Sequence, residues 1–364
     1  MTDHIRHEVR NQIGLLYLDR PKALNSLSLD MVRALASTLR GWRDDPAVKA
    51  VLVKSTSERA FCAGGDIRFF YDAGIATPTG NSALLEDFFS EEYALNHLIH
   101  HYPKPYIALM DGIVMGGGMG IAQGGETNRM RIVTERTKMA MPEVNIGLFP
   151  DVGGGYFLSR APGQLGTYLG VTGETISAAD ALYAGLADVF VPSAQLAALE
   201  DLLVSSKDAD SRAVVRAFAA QFQEQYHPAQ SMLAINRAAI DIHFAHDKVP
   251  AIMTSLSRDD ASFAQRTLQV MGKRSPLMMC VTLEQLRRGA NMSVAECLRM
   301  ERTLVRRCFE HGEVLEGVRA LVVDKDNAPR WNPPLLAEVS PDMVARFFHA
   351  AWPTYAHPLR DLDG

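Results

Sequence analysis

The chain has 364 residues, 47% of them apolar and 22% charged, which excludes a disordered chain and exceeds what one core ordinarily serves. Its 37 basic residues against 42 acidic ones give a net charge of −5, so no basic excess points to nucleic acid. No apolar stretch approaches the roughly 18–20 residues needed to span a bilayer.

In chain order, Ile13–Leu18 reads as a strand closed by Arg20-Pro21. The N-terminal stretch before it holds no uninterrupted apolar run, so no signal or transit peptide is expected. From Ser28 the residues Met31, Leu35, Leu39 and Trp42 follow helical spacing up to Asp44-Asp45-Pro46. Val48–Val53, Tyr106–Met110 and a short Arg131–Thr134 supply further strands. Between Asp72 and Ser82 a breaker-rich segment predicts a loop, and a helix with Leu84, Leu85, Phe88, Phe89, Leu95 and Leu98 follows it. Ser177 and Asp180 have the spacing of a capping box, with the helix ending near Gly185. Past Pro192 the β signal fades, and 195–225, 230–245, 256–272, 282–289 and 293–309 read as mainly helical. This pattern predicts an α/β core over 1–200 and a mainly helical region over 201–364 that packs on it.

Two glycine clusters follow apolar runs: Gly64-Gly65-Asp66-Ile67, and Gly112 with Gly116-Gly117-Gly118-Met119-Gly120. Glycine permits positive φ and close approach of a ligand to the backbone. Helices starting at these glycines would present free N–H groups, and two such groups from separate turns would clamp one carbonyl oxygen as an oxyanion hole. Tight turns and close helix packing explain the same glycines, so taken singly they decide nothing. Rival glycine motifs are absent: Ile121 breaks GxGxxG, and neither GxxxxGK[ST] nor GxSxG occurs.

Glu143 and Asp151 stand among Met139, Met141, Ile146, Leu148 and Phe149, an apolar setting that raises a carboxyl pKa towards the range useful for acid–base work. Gly147 and Pro150 offer the turns that would bring the two together; a pair of turn or capping carboxylates is the plainer alternative. His97, His100 and His101 have helical spacing but no carboxylate at metal-motif distance, so a solvated helix end is preferred and no metal is expected. Cys62 has no local His partner and reads as a small packed side chain. With Cys280, Cys297 and Cys308 it shows no CxxC spacing, and reduced thiols in a cytoplasmic protein are expected.

Assembled, Ala60–Ile67, Asp111–Gly118 and Met141-Pro142-Glu143 resemble the crotonase (enoyl-CoA hydratase/isomerase) superfamily in order and separation, and Leu169–Gly173 through Ala184-Gly185-Leu186 continues the likeness. Glu91–Asn96, Ile146–Phe157 and Glu316–Asp326 are similar to its 3-hydroxyisobutyryl-CoA hydrolase branch, and the resemblance runs from Ile13 to about Trp331. It implies an α/β fold, a spiral of ββα units with a helical C-terminal region, and an acyl-CoA substrate with no separate cofactor, CoA being part of the substrate. It also implies that the N–H groups of Gly65 and Gly117 form the oxyanion hole. Glu143 falls at the catalytic glutamate position, Asp151 at the aspartate that handles the substrate's hydroxyl end, and Glu92 at an acidic residue shaping that pocket. Lys325 is either a CoA phosphate contact or a solvated turn lysine.

The resembling hydratases use two glutamates, the first three residues past the middle glycine of the triplet. That position is Gly120 here, which has no side chain to activate water, so hydrolysis is favoured over hydration. Glu143 would act either as general base on water or as nucleophile. The rival classes are a lyase or isomerase of the same fold and a non-catalytic acyl-CoA-binding protein. No nucleic acid or membrane partner is expected; a homo-oligomer and a place in valine degradation follow from the resemblance. After Gly120 the segment to Arg129 is about three residues longer than the pattern, with Glu126 unmatched, and a bulge at its far end is expected.

Overall fold

Strands buried on both faces carry near-continuous apolar runs. A computed structural model describes residues 2–78, 82–206, 210–226 and 230–362. Among them nine strands form: β1 (Ile5–Arg10), β2 (Ile13–Leu18), β3 (Ala50–Ser55), β4 (Ala60–Cys62), β5 (Tyr106–Met110), β6 (Ile113–Met115), β7 (Arg129–Val133), β8 (Lys138–Ala140) and β9 (Val189–Phe190). Contacts divide the chain into two compact units, and neither is a continuous stretch. The first draws on Met1–Gly65, Leu95–Ala140 and Thr175–Ile235, the second on Asp66–Ala94, Met141–Glu174 and Asn236–Gly364.

All nine strands belong to the first unit. The larger sheet has the order β1-β2-β3-β5-β7-β9, with β1 antiparallel and the others parallel; the smaller is β4-β6-β8, all parallel. Three times a strand of the large sheet is followed by one of the small sheet, which is the repeated ββ step the resemblance implies. Register aligns Leu15, Leu52, Ile107 and Met130 in one row. These, with Ile13, Ala50, Leu109 and Ile132 on the same face, pack on the helices Leu196–Ser205 and Ser211–Ala219, forming the unit's core. Helix Leu29–Arg43 is capped by Ser28, whose side chain accepts the Met31 N–H, and its Trp42 ring lies where a Cβ on Gly14 would stand.

The second unit is helical. Its helices Pro276–Gly289 and Val294–His311 start at Ser275 and Ser293, and Ser293 forms a capping box with Glu296. Around Phe70, the rings of Phe88 and Phe89 lie 4.8 and 4.9 Å away, centroid to centroid, with Phe309 at 6.5 Å.

Several expectations are corrected. β1 was not expected, because a charged edge strand buries only Ile5 and shows no apolar run. The Asp72–Ser82 segment is helical as far as Ala76, in the helix Ile67–Ala76, because Gly74 lets the helix seat against Leu315 and Phe309. Residues 79–81 of that expected loop, and 207–209 of the expected 195–225 helix, lie outside the described residues. The helix expected over 282–289 begins at Pro276, and the one over 256–272 is two, Val249–Ser257 and Ser262–Met271.

Candidate active site

Both glycine clusters end strands of the small sheet. β4 and β6 pair with Cys62 opposite Val114, and Gly65 and Gly117 each stand three residues beyond that pair. Leu27 N–H donates to Gly64 O at 2.7 Å, and Gly64 has φ +102°; a Cβ there would meet Met115 O at 3.1 Å and Gly117 N at 3.5 Å. The two turns therefore lie against each other, which glycine alone allows. Among the described residues no hydrogen-bond acceptor takes the N–H of Gly65 or Gly117. The helical turn Gly117–Gly120 begins on Gly117, whereas the helix after Gly65 begins at Ile67 with Asp66 as its cap. Cys62 is fully buried with its thiol against Asn25 O at 3.1 Å, the packed role expected of it. Past Gly120 the longer segment is non-helical up to β7. It is tied down by Gly125 N–H to His100 O at 3.1 Å and by the Asn128 side chain on Ile99 O at 3.3 Å.

The second unit brings the sequence's acidic candidates together. Glu92 lies on the helix Ala83–His100, Glu143 opens the 3-10 turn Glu143–Asn145, and Asp151 precedes the short helix Gly154–Phe157. All three are buried. One oxygen of Glu92 (Oε1) and one of Glu143 (Oε2) are shut from solvent without a hydrogen-bond partner. Tyr93 O–H donates to Asp151 Oδ2 at 2.7 Å. Burial, then the negative charge of Asp151, raise Glu92 and Glu143 well above the ordinary glutamate value. Burial also raises Asp151, the Tyr93 hydroxyl pulls it back, and it settles at about 6. No Lys or Arg pairs with these carboxyls among the described residues; Arg302 next to Tyr93 spends its guanidinium on Ser90 Oγ at 2.9 Å and Glu86 Oε2 at 2.5 Å. Carboxyls that repel one another in a dry site hold different protonation states at one pH, so the cluster contains an acid and a base together.

Sequence reasoning missed a fourth buried carboxyl. Glu301 is 0% exposed, and its two oxygens accept the N–H groups of Gly153 and Gly155, each at 2.8 Å. Gln285 Nε2 donates to Pro150 O at 2.6 Å and lies 3.3 Å from Glu301 Oε1. Between them the backbone is bent hard: Val152 has φ +53° and Gly153 φ +90°. A β-branched residue in the left-handed region costs about 1–3 kcal/mol and persists only where its surroundings hold it. Glu301 was detectable as an acid on the inner stripe Val294, Cys297, Leu298, Leu304, Val305, Cys308 of its helix.

Two other candidates lie elsewhere. The His101 ring lies tilted against that of His97, 4.2 Å between centroids, and edge-on to that of His100 at 4.8 Å. Lys325 is exposed in irregular backbone with φ +59°, and the neighbouring Arg319 is taken by Glu316, Asp324 and Asp326.

The family model described as enoyl-CoA hydratase/isomerase matches residues 13–348, and the chain belongs to that family. Among curated relatives, "3-hydroxyisobutyryl-CoA hydrolase, mitochondrial" of Xenopus tropicalis is 42% identical over 337 residues, covering 92% of this chain and 86% of that one. The human protein of the same name is 38% identical over 354 residues, covering 95% and 89%. Among solved structures, a carnitinyl-CoA dehydratase from Mycobacterium thermoresistibile is 40% identical with a TM-score of 0.88, covering 97% of this chain and 98% of that one. An enoyl-CoA hydratase from Rhodobacter sphaeroides 2.4.1 is 36% identical with a TM-score of 0.84, covering 96% and 98%. The curated relatives carry "mitochondrial" in their names. Among the described residues of this chain, no helix is long and apolar enough to cross a membrane.

Proposed function

We propose that this chain hydrolyses the thioester of a small 3-hydroxyacyl-CoA, 3-hydroxyisobutyryl-CoA first among them, to the free hydroxy acid and CoA. The observation that carries the reading is Glu143, a buried carboxyl with one oxygen unpartnered, in a chain that aligns over most of its length with relatives named for that hydrolysis. In the proposed reaction the N–H groups of Gly65 and Gly117 hold the thioester oxygen as it gains charge. Water then adds to the carbonyl carbon while Glu143 takes its proton; in the other branch Glu143 itself adds and water opens the resulting anhydride. Either way the C–S bond breaks, sulfur leaves with the bonding pair and is protonated, and the acyl carbon ends as a carboxylate. Asp151 accepts the substrate's 3-hydroxyl or assists proton transfer, and Glu92 shapes that end of the pocket. Neither branch calls for a metal or redox cofactor; CoA arrives with the substrate and leaves as product.

Thiol release from 3-hydroxyisobutyryl-CoA and 3-hydroxypropionyl-CoA, with Glu143→Gln as control, tests the reading. Wild-type release that the variant loses supports it, and no release from either thioester overturns it. Single turnover in oxygen-18 water separates the branches, since label enters the Glu143 carboxyl only through the anhydride.

A second reading, addition or elimination of water at an enoyl-CoA, is favoured by the dehydratase and hydratase among the similar structures. Gly120 counts against it, lacking the side chain that the two-glutamate arrangement needs. Loss of crotonyl-CoA absorbance without thiol release would make it the better reading.

A role in valine degradation and a homo-oligomer belong to the same proposal, the first supported by the substrate in the relatives' names. The four free cysteines support a reducing compartment, for which we propose the cytoplasm. Subcellular fractionation decides between that and the mitochondrial setting in the relatives' names.

A further inference from the structure

We infer that Glu301, with Gln285, is a positioning residue for Asp151, acting on the reaction through the backbone of residues 150–155 and never touching substrate. The inference rests on the hydrolytic reading above for its kinetic consequence, though the geometry stands without it.

Glu301 occupies a fully buried place on the apolar stripe of helix Val294–His311, where a leucine or methionine would be the cheaper residue to bury. Its oxygens accept the Gly153 and Gly155 N–H groups, and the side chain is wholly shut from solvent, so it acts on the backbone rather than on a substrate. The glycines are needed for this approach. A Cβ on Gly155 would stand 3.0 Å from Glu301 Oε1, and one on Gly289 would stand 2.2 Å from Gly155 O. Gln285 grips the same turn from its other end, at Pro150 O. Asp151 and the left-handed Val152 lie between the two grips, and the Asp151 carboxylate is thereby aimed at the Tyr93 hydroxyl. Ionised, Glu301 offers two acceptor oxygens with the reach that both N–H donors need; burial raises its carboxyl to about 8, so the full grip is completed as pH climbs through that value. Glutamine has one acceptor and turns an N–H towards the other donor, and aspartate is one methylene short.

The test uses the full-length protein with Glu301→Gln, Gln285→Met and the double variant. Thiol release from 3-hydroxyisobutyryl-CoA is read beside amide hydrogen exchange of residues 150–155 and the thermal midpoint at pH 8. Glu301→Gln is expected to lower kcat about 10- to 100-fold, because displacement of a reacting group by an ångström costs that much. KM should stay within about threefold, as expected when ground-state binding is untouched. Exchange across 150–155 should accelerate while helix Val294–His311 keeps its protection, and the thermal midpoint should hold or rise, a combination that a merely structural role would not produce. Gln285→Met should shift both readouts in the same direction by less. The double variant should be little worse than Glu301→Gln alone, since the two residues act as one unit. Unchanged exchange in Glu301→Gln overturns the inference whatever the kinetics, and so does a loss of kcat that tracks loss of folded protein. A wild type that releases no thiol sinks the hydrolytic reading instead, and exchange still decides whether Glu301 holds the turn.

Discussion

Glu143 and Glu92 sit where burial and the charge of Asp151 both disfavour ionisation, so they keep their protons at pH values where a surface glutamate has lost its own. Asp151, at about 6, is the member that carries charge at neutral pH. If Glu143 is base or nucleophile it must first ionise, so kcat/KM falls as pH drops through an apparent pKa above the ordinary glutamate 4.5. A pH–rate profile of thiol release checks this, and one that stays flat down to pH 5 would remove Glu143 from the role. Glu143→Gln should lower kcat by roughly 100-fold or more, general acid–base catalysis being of that order. The same variant should raise the thermal midpoint at pH 8, since it deletes a carboxyl that is costly to ionise there. Glu143 and Asp151 were readable from sequence because acids among Met, Ile, Leu and Phe with Gly and Pro between them are conspicuous. Tyr93 and Gln285 were not readable by any such rule, since a tyrosine or glutamine in a helix is ordinary until its partner across space is known.

At the scale of elements, the same substitution has opposite outcomes depending on what a glycine touches. Gly41 lies in helix Leu29–Arg43 with nothing within 4 Å of a new Cβ, so Gly41→Ala should stabilise by about 0.5–1 kcal/mol in a denaturant titration. Gly118 would place its Cβ 2.2 Å from Cys62 O, so Gly118→Ala should destabilise by about 1–3 kcal/mol, as overpacking does. It should also reduce thiol release, because the turn bearing Gly117 has to move. Elements with a strong period were visible in advance: β2, β5 and helix Leu29–Arg43 follow the apolar spacing read for them. The three-residue strands β4, β6 and β8 were not, being too short to show alternation and embedded in what read as glycine and turn sequence. β1 hid for another reason, its charged residues facing solvent along a sheet edge.

For the whole molecule, the buried acids set how stability varies with pH. A carboxyl whose pKa is raised in the folded state binds its proton more tightly there than in the unfolded chain. Its contribution is therefore fully present below the unfolded value and is lost as pH climbs to the folded one. The windows are 3.8 to about 6 for Asp151, 4.5 to about 7 for Glu313 and 4.5 to about 8 for Glu301. The thermal midpoint should accordingly decline between pH 5 and 8, and Glu301→Gln should flatten the upper part of that decline; a midpoint that rises over this range would contradict the assignment. Asp188, Asp259, Glu316 and Asp326, held low by their partners, act in the other direction and only at more acid pH. One contact also imposes an order in time. The carboxylate that closes the turn after Asp151 is translated 148 residues after Gly153. At about 5–20 residues per second, roughly 7–30 s separate the two on the ribosome. Throughout that interval Gly65, Glu92, Gly117, Glu143 and Asp151 have already been synthesised, yet Glu301 is not there to help keep Val152 left-handed. A nascent chain halted before helix Val294–His311 would carry the catalytic sequence without its catalytic geometry.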